Sequence, residues 1–350
     1  MYWATPEHSR EKVNAAGRIL VRKWDESLQI PLEEFDAYLD STAVMSNWRA
    51  SHQFPLNTFK INLRNRALRI DENAFVAQRL KRANSIVAKL RRFPKMRLTQ
   101  MQDIGGCRAV LSTLADVETL RESFKNSKIK HRLVNEKDYI TNPKPDGYRG
   151  IHLVYRYVSD RKETYNNHSI EIQIRTKLQH AWATAVETVS TLIGQGLKAH
   201  QGDQVWLDFF SLVSAAFAIL EGVNGPHDMQ WLRARIVEMD LALHVVDRLT
   251  AFQSVMKIAI ADPEGLHYAY FLMVMDAPNE EVRVMSYSPD EFGEATAEYK
   301  RVEEAANKGV DAVLVMADSA LALRSAYPNY FGDTSLFIGE LQNIIQGKYL

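Results

Sequence analysis

One cysteine, Cys107, in 350 residues excludes an internal disulfide framework and leaves no basis for a cysteine-rich zinc site. No apolar run approaches the ~18 residues of a membrane span. The opening residues MYWATPEHSREK have neither the basic start nor the apolar middle of a signal peptide. A cytoplasmic location with no membrane partner is therefore the expectation. The sequence also has no internal repeat, no low-complexity tract and no Walker loop. Its 43 basic and 43 acidic residues cancel, which argues against a chain that coats nucleic acid wholesale. What remains is an ordinary globular composition, 46% hydrophobic and 25% charged, long enough for one large domain and a smaller one.

The balance of charge hides a local asymmetry. Residues 79 to 97, RLKRANSIVAKLRRFPKMR, hold eight Lys or Arg and no Asp or Glu. Such a stretch is either an anion site or a solvated basic helix face.

Apolar spacing of three and four predicts helices across 8 to 70, with Pro55 suited to a helix start. Strands are expected at 107–113, 129–139, 151–158 and 168–176, with helices at 114–126 and 177–194. Helical periodicity resumes over 204–251, broken in two around Gly222, Gly225 and Pro226. From about residue 253 three strands, a helix, a strand and two short helices follow. The fold class is α+β, a mixed sheet flanked by helices. The expected division is 1–70 helical, 71–200 the main α/β unit, 201–252 a helical connector, and 253–350 a small α+β domain.

Arg79 and Lys81 diverge on a helix but share a face on a strand, so a joint role requires VAQRLKR to be extended. Asn84 or Ser85 can cap a following helix, placing Lys89 within its first two turns beside a positive N-terminus. In DIGGCR, Asp103 precedes two glycines suited to a tight turn, and Arg108 enters an apolar strand. A carboxylate there can hold Mg²⁺ and an arginine can stack on a base, although Asp-x-Gly is also common turn chemistry. In EIQIRT, Glu171, Gln173 and Arg175 share one face while Ile170, Ile172 and Ile174 share the other. The polar face looks onto either a site or solvent at a sheet edge.

The segment KDYITNPKPDGYRGIHL, 137 to 153, joins two strands with two prolines, two glycines, three cations and two tyrosines, of which Tyr148 reads as exposed. In order, R-x-K, a serine, a lysine, DIGGCR, this loop, EIQIRT and HAWATAVE resemble the synthetase domain of the RelA/SpoT family, over about 75 to 190. The resemblance implies a pyrophosphokinase that moves the β,γ-diphosphate of ATP to a ribose 3′-hydroxyl. It further implies that Arg79 and Arg108 sandwich adenine and that Lys81, Ser85 and Lys89 hold the triphosphate. Asp103 and Glu171 would bind Mg²⁺, with Glu171 also activating the hydroxyl. On the acceptor side the implied contacts are Lys137, Lys144, Tyr148, Arg149, His152, Gln173 and Arg175, with Tyr148 stacking on the base.

Where the family pattern reads Tyr-Arg-Ser, this chain has Tyr148, Arg149 and Gly150, which leaves the acceptor open. Hydrolysis is not expected, because the seventy-odd residues before the synthetase cannot hold a hydrolase and His227-Asp228 has no partner histidines nearby. The expected acceptor is the tRNA 3′ CCA end, as in the toxic small synthetases. The argument is that Lys60, Arg64, Arg66, Arg69, Arg91, Arg92, Lys95 and Arg97 exceed what one triphosphate needs. The alternatives are a (p)ppGpp synthetase acting on GDP or GTP, and an inactive nucleotide-binding regulator, against which both carboxylates speak. Finally YPNY, Tyr327 to Tyr330, resembles the Tyr-x-x-Tyr element of the CapRel-type fused toxin–antitoxins. That likeness implies a C-terminal region that masks the ATP site until a phage protein binds it.

Overall fold

The computed structural model describes residues 3–22, 32–192, 203–255, 257–260, 270–276, 281–305, 310–316 and 334–350. Three helices open the chain: α1 (Arg10–Leu20), α2 (Leu32–Ala50) and α3 (Gln53–Ile70). Ser9 caps α1 by accepting from the Lys12 amide. Pro55 lies in the first turn of α3, where its missing N–H costs nothing. Val13, Leu20, Val44 and Trp48 bury against Ile86, Leu90 and Leu98, which fixes these helices to the basic segment.

The central sheet is built from β1 (Phe75–Leu80), β2 (Gly105–Leu111), β3 (Arg132–Asp138), β4 (Ile151–Arg156) and β5 (Ser169–Thr176). Helices α4 (Ala83–Arg92), α5 (Leu114–Lys125) and α6 (Lys177–Leu192) connect or follow them. In β5 the isoleucines at 170, 172 and 174 are fully buried, so register sends 171, 173 and 175 to the opposite face. This strand lies between β4 and β2, antiparallel to the first and parallel to the second. An edge position for EIQIRT is thereby excluded. Gly105 and Gly106 lie in β2 rather than in the expected turn. A Cβ at Gly105 would stand 2.7 Å from Ile170 Cδ1, so a larger residue there would have to push the end of that buried side chain aside.

Beyond α6 come α7 (Gln204–Leu220), α8 (Met229–Leu243) and α9 (Val245–Val255). There are three helices where two are expected, because His244 takes a left-handed conformation (φ 51°) and ends α8. The remaining elements are β6 (Lys257–Ile260), β7 (Tyr270–Asp276), β8 (Glu281–Tyr287), α10 (Phe292–Ala305), β9 (Val310–Met316) and α11 (Ser335–Ile345).

Two sets of contacts cross the expected boundaries. The sheet runs β3-β4-β5-β2-β1-β9-β7-β8-β6 without a break, so the C-terminal strands extend the first five rather than forming a sheet of their own. The junction pairs Gln78 with Met316 and Arg79 with Val315 among the described residues. Meanwhile α11 leaves the C-terminal strands altogether. Its Phe337, Ile338, Leu341 and Ile344 bury among Trp182, Phe209, Phe210 and Phe217 of α6 and α7. The segment 201–252 is thus half of a helical core that the last helix completes.

Candidate active site

Lys81, Asp103, Arg79, Arg108, Glu171 and Gln173 line one cleft on the polar face of β1, β2 and β5. Strand β1 is extended through Leu80, as the joint use of Arg79 and Lys81 requires. Asp103, just before β2, accepts from Lys81 Nζ at 2.9 Å and Lys89 Nζ at 2.8 Å. Burial would raise its pKa, but those two ammonium groups outweigh it and hold the carboxyl below its usual range; Glu171 pushes the other way. Lys81 is itself lowered, by burial first and by Arg79 among its neighbours. Arg108 Nη1 lies 3.5 Å from His180 Nδ1. Helix α4 begins at Ala83 with Arg82 as its N-cap, so Asn84 and Ser85 lie inside the first turn instead of capping it.

The cap comes from far along the chain. The Glu303 carboxylate of α10 accepts from the Ala83 amide at 3.2 Å. The same side chain pairs with Arg49 Nη1 at 3.0 Å and accepts from the Tyr299 hydroxyl at 2.7 Å. Arg49 also lies over the Tyr299 ring, 4.7 Å from its centroid. A larger, more apolar cleft opens along this seam, lined by Arg49, Gln78, Arg79, Tyr270, Phe292 and Tyr299. It lacks the carboxylate pair of the first.

Around Glu171 the hydrogen bonds close into a ring. His152 Nδ1 lies 2.9 Å from Glu171 Oε1, and His152 Nε2 lies 2.5 Å from the Tyr148 hydroxyl. Arg175 Nη2 donates to the Tyr148 oxygen at 2.7 Å and to Gln173 Oε1 at 2.8 Å, and Gln173 Nε2 donates to Glu171 Oε2 at 2.7 Å. Burial would raise Glu171, yet the charge and hydrogen bond of His152, followed by the Gln173 bond, hold it far below the ordinary carboxylate range.

The loop before β4 is rigid for reasons now visible. Gly147 N donates to Lys144 O at 2.8 Å, closing a turn with Pro145 second. Gly147 adopts φ 87° and presses on α7, where a Cβ would stand 2.9 Å from Ser211 Cα. Ser214 Oγ donates to the Gly147 carbonyl at 2.5 Å. One expectation for this loop is corrected, that Tyr148 is exposed. Tyr148 is 8% exposed, and Lys144 Nζ and Arg175 lie over its ring at 4.6 and 4.9 Å. Its faces are therefore covered in this arrangement. Arg149 turns away from the cleft to donate to Ile140 O and Ser214 Oγ, because its stem follows the loop toward α7. His152 is buried with both ring nitrogens engaged. Lys137 is exposed on the outermost strand. Tyr139, half-buried and edge-on to Tyr148 and His152, was not singled out by sequence; its place in the KDY of the loop motif was the available signal.

Tyr327 and Tyr330 lie outside the described residues. Among the described residues no group of three or more His, Cys, Asp or Glu forms a metal cage, and no helix is long and apolar enough to cross a membrane.

Residues 78–190 match the family model described as a region found in RelA / SpoT proteins. This segment is similar to the region that RelA / SpoT proteins share. Over 112 residues the chain is 36% identical to the GTP pyrophosphokinase YjbM of Bacillus subtilis (strain 168), covering 31% of this chain and 53% of that protein. Over 111 residues it is 34% identical to YwaC, a GTP pyrophosphokinase of the same organism, covering 30% and 52% respectively. The chain spans about half the length of the curated relatives it matches. Among solved structures it is similar to small alarmone synthetase 1 from Bacillus subtilis bound to its product pppGpp, with 25% identity and a TM-score of 0.43, covering 53% of this chain and 94% of that one. The matched residues 78–190 contain the six cleft side chains named above and the whole Glu171 ring.

Proposed function

We propose that this protein is an ATP-dependent pyrophosphokinase that transfers the β,γ-diphosphate of ATP to a ribose 3′-hydroxyl. The observation that carries the reading is the convergence of Asp103 and Glu171 with Lys81, Lys89, Arg79 and Arg108 around one cleft. The acceptor oxygen forms a bond to the β-phosphorus, the bond from that phosphorus to the α–β bridging oxygen breaks, and AMP leaves. Such a transfer depends on positioning and on neutralising phosphate charge. Lys81 and Lys89 now neutralise Asp103, and they are the cations at hand for a triphosphate. Two mutually repelling carboxylates on one wall, without a full protein cage, suit a hard cation that takes its other ligands from phosphate. Asp103 and Glu171 are thus the residues that would hold Mg²⁺, which supplies charge neutralisation between donor oxygens. So strongly depressed a carboxyl is a weak base; Glu171 serves better to orient the hydroxyl, which suffices for a loose transition state.

Two curated relatives named as GTP pyrophosphokinases favour a guanosine nucleotide as acceptor. The RNA argument for the tRNA 3′ end is thinner than the sequence suggests. Lys60 is 5% exposed, and Arg66 is committed to Asn62, Ser123 O and the Phe124 ring. What still favours that second reading is the exposed run Arg91, Arg92, Lys95 and Arg97 around a 46% exposed Phe93. Incubation with β-labelled or γ-labelled ATP and, separately, GDP, GTP and bulk tRNA decides between them. Label on guanosine nucleotide supports the first reading, label on tRNA the second, and label on none refutes the enzyme.

Masking of the ATP site by Tyr327 and Tyr330, released by a phage protein, is retained as the proposed regulation. Its support is the seam that carries the C-terminal strands to Arg79. Truncation at residue 250 would also remove α11 from the helical core, so Tyr330→Ala in the full chain is the sound test. Increased toxicity on expression in bacteria, abolished by adding Glu171→Gln, is expected; toxicity equal to the parent refutes masking.

A further inference from the structure

Helix α7 lies outside the matched residues 78–190, yet the loop before β4 rests on it. Phe210, Ser214, Phe217 and Glu221 follow one another at steps of four, three and four, so they fall on one stripe along α7 and its C-cap. Ser214 is the one polar residue between Leu212 and Leu220, and it is 4% exposed. A buried helical serine often returns its hydroxyl to the carbonyl four residues earlier. Here that carbonyl, Phe210 O, receives Trp182 Nε1 at 2.8 Å, and the Ser214 hydroxyl donates across to the Gly147 carbonyl. The same oxygen accepts from Arg149 Nε at 3.3 Å. One hydroxyl therefore holds both ends of Gly147-Tyr148-Arg149.

The contact is close on both sides. A Cβ at Gly147 would stand 2.9 Å from Ser211 Cα and 2.9 Å from Ser214 Cβ, so the loop backbone lies directly on the helix. Arg149 Nη1 reaches on to Ile140 O at 2.8 Å, which ties the end of the loop to its start. Two turns along the stripe from Ser214, the Glu221 carboxylate accepts from Gln179 Nε2 at 3.0 Å and from Thr176 Oγ1. Thr176 ends β5 and Gln179 lies in the first turn of α6, so α7 grips that corner as well as the loop. Phe337 of α11 packs against Phe210 and Phe217, with ring centroids 5.9 and 5.7 Å apart. The last helix thus reaches the loop by a path separate from the β1–β9 junction.

We propose that Ser214 is a positioning residue: by pinning Gly147 and Arg149 to α7 it sets where Lys144 and Tyr148 stand, so that acceptor binding depends on a helix beyond the matched residues. The inference rests on the pyrophosphokinase reading for its kinetic consequence, because that reading puts Lys144 and Tyr148 on the acceptor side. The pinning itself does not rest on it. The cations assigned to ATP, Arg79, Lys81, Lys89 and Arg108, come from the segment that runs β1, α4, β2, not from the loop that Ser214 holds. Donor binding is therefore independent of this contact.

The test uses Ser214→Ala in the full chain, a change that removes the hydroxyl and keeps a good helix former in α7. The amides of Lys144, Gly147 and Tyr148 are bonded within the loop, to Tyr148 O, Lys144 O and Asp146 Oδ1. Hydrogen exchange at these three should quicken in the variant while β2 and β5 keep their protection. Unchanged exchange there overturns the pinning whatever the protein catalyses. In the transfer assay, with ATP and acceptor varied in turn, acceptor KM should rise about tenfold, the worth of one or two buried hydrogen bonds, and ATP KM should stay within about twofold. An acceptor KM equal to wild type overturns the positioning role even where exchange quickens. A rise of both KM values in step overturns it in favour of general loosening. Failure of the wild type to transfer label to any acceptor refutes the pyrophosphokinase reading alone, since exchange still reports on the pinning.

Discussion

The two halves of the nine-stranded sheet are built to different ends. From β1 to β5 the strands turn Arg79, Arg108, Glu171 and Gln173 onto a single cleft that Lys81 and Asp103 join from just beyond the strand ends, and their other face is closed by a core of Leu56, Phe59, Leu63 and the buried isoleucines of β5. From β6 to β9 the strands share a small core of Leu272, Val274, Tyr299 and Ala312 and carry no comparable polar convergence among the described residues. The first half gathers the polar cleft, and the second is attached to it through β9 and α10. Attachment is also concentrated: two paired residues join β1 to β9, and one carboxylate, Glu303, ties α10 to both Arg49 and the start of α4. Because Arg79 belongs both to this joint and to the cleft, a change at the joint is felt in the cleft.

The comparison is broken most severely at Glu303. Glu303→Ala leaves Arg49 buried without its partner, a loss of about 3–5 kcal/mol, and hydrogen exchange should show β9 amides losing protection while β2 and β5 keep theirs. Equal loss in β2 would mean that the two halves are one cooperative unit.

Acid probes the first half alone. His168 is lowered to about 4, chiefly by burial, and His52 beside it is also held well below its ordinary value. The unfolded chain therefore binds protons that the folded one refuses. This stabilising contribution is complete above pH 6.5 and is lost as pH falls from there toward 4, on the order of 3 kcal/mol for His168. Urea unfolding of wild type and His168→Gln across that window should show the wild type's acid loss reduced in the variant. Identical slopes would remove the buried histidine pair as its cause.

The smallest effect is expected at the loop. Lys144→Met removes a cation over Tyr139 and Tyr148, worth about 0.5–2 kcal/mol, and should move the melting temperature only slightly. A large shift would mean that the cation anchors the loop and not the turn and Ser214.

Much of the first half was legible because period-2 alternation in EIQIRT has one physical solution, and because R-x-K needs a strand to bring its cations together. Asp103, Glu171, Lys81 and Lys89 meet as their spacing suggests. The misreadings share a cause: each concerned a residue whose partner lies far along the chain. The bond from Arg149 to Ser214 on α7 is invisible from the loop sequence. The α4 cap was sought among its own residues because Glu303 is 220 positions away. Two glycines before a strand read as a turn until Ile170 supplied the close contact. The helix α11 was grouped with its sequence neighbours, although Phe337 packs against Phe210 and Phe217.

On the proposed function, the carboxylate pair and not the fold alone makes this region a diphosphate-transferring site. Asp103→Asn and Glu171→Gln each remove one negative charge from the cleft while leaving Arg79, Arg108 and Lys81 in place. Followed by transfer of label from γ-labelled ATP, with ATP binding measured in parallel, both variants should lose transfer and still bind ATP; near wild-type transfer in both would contradict the account.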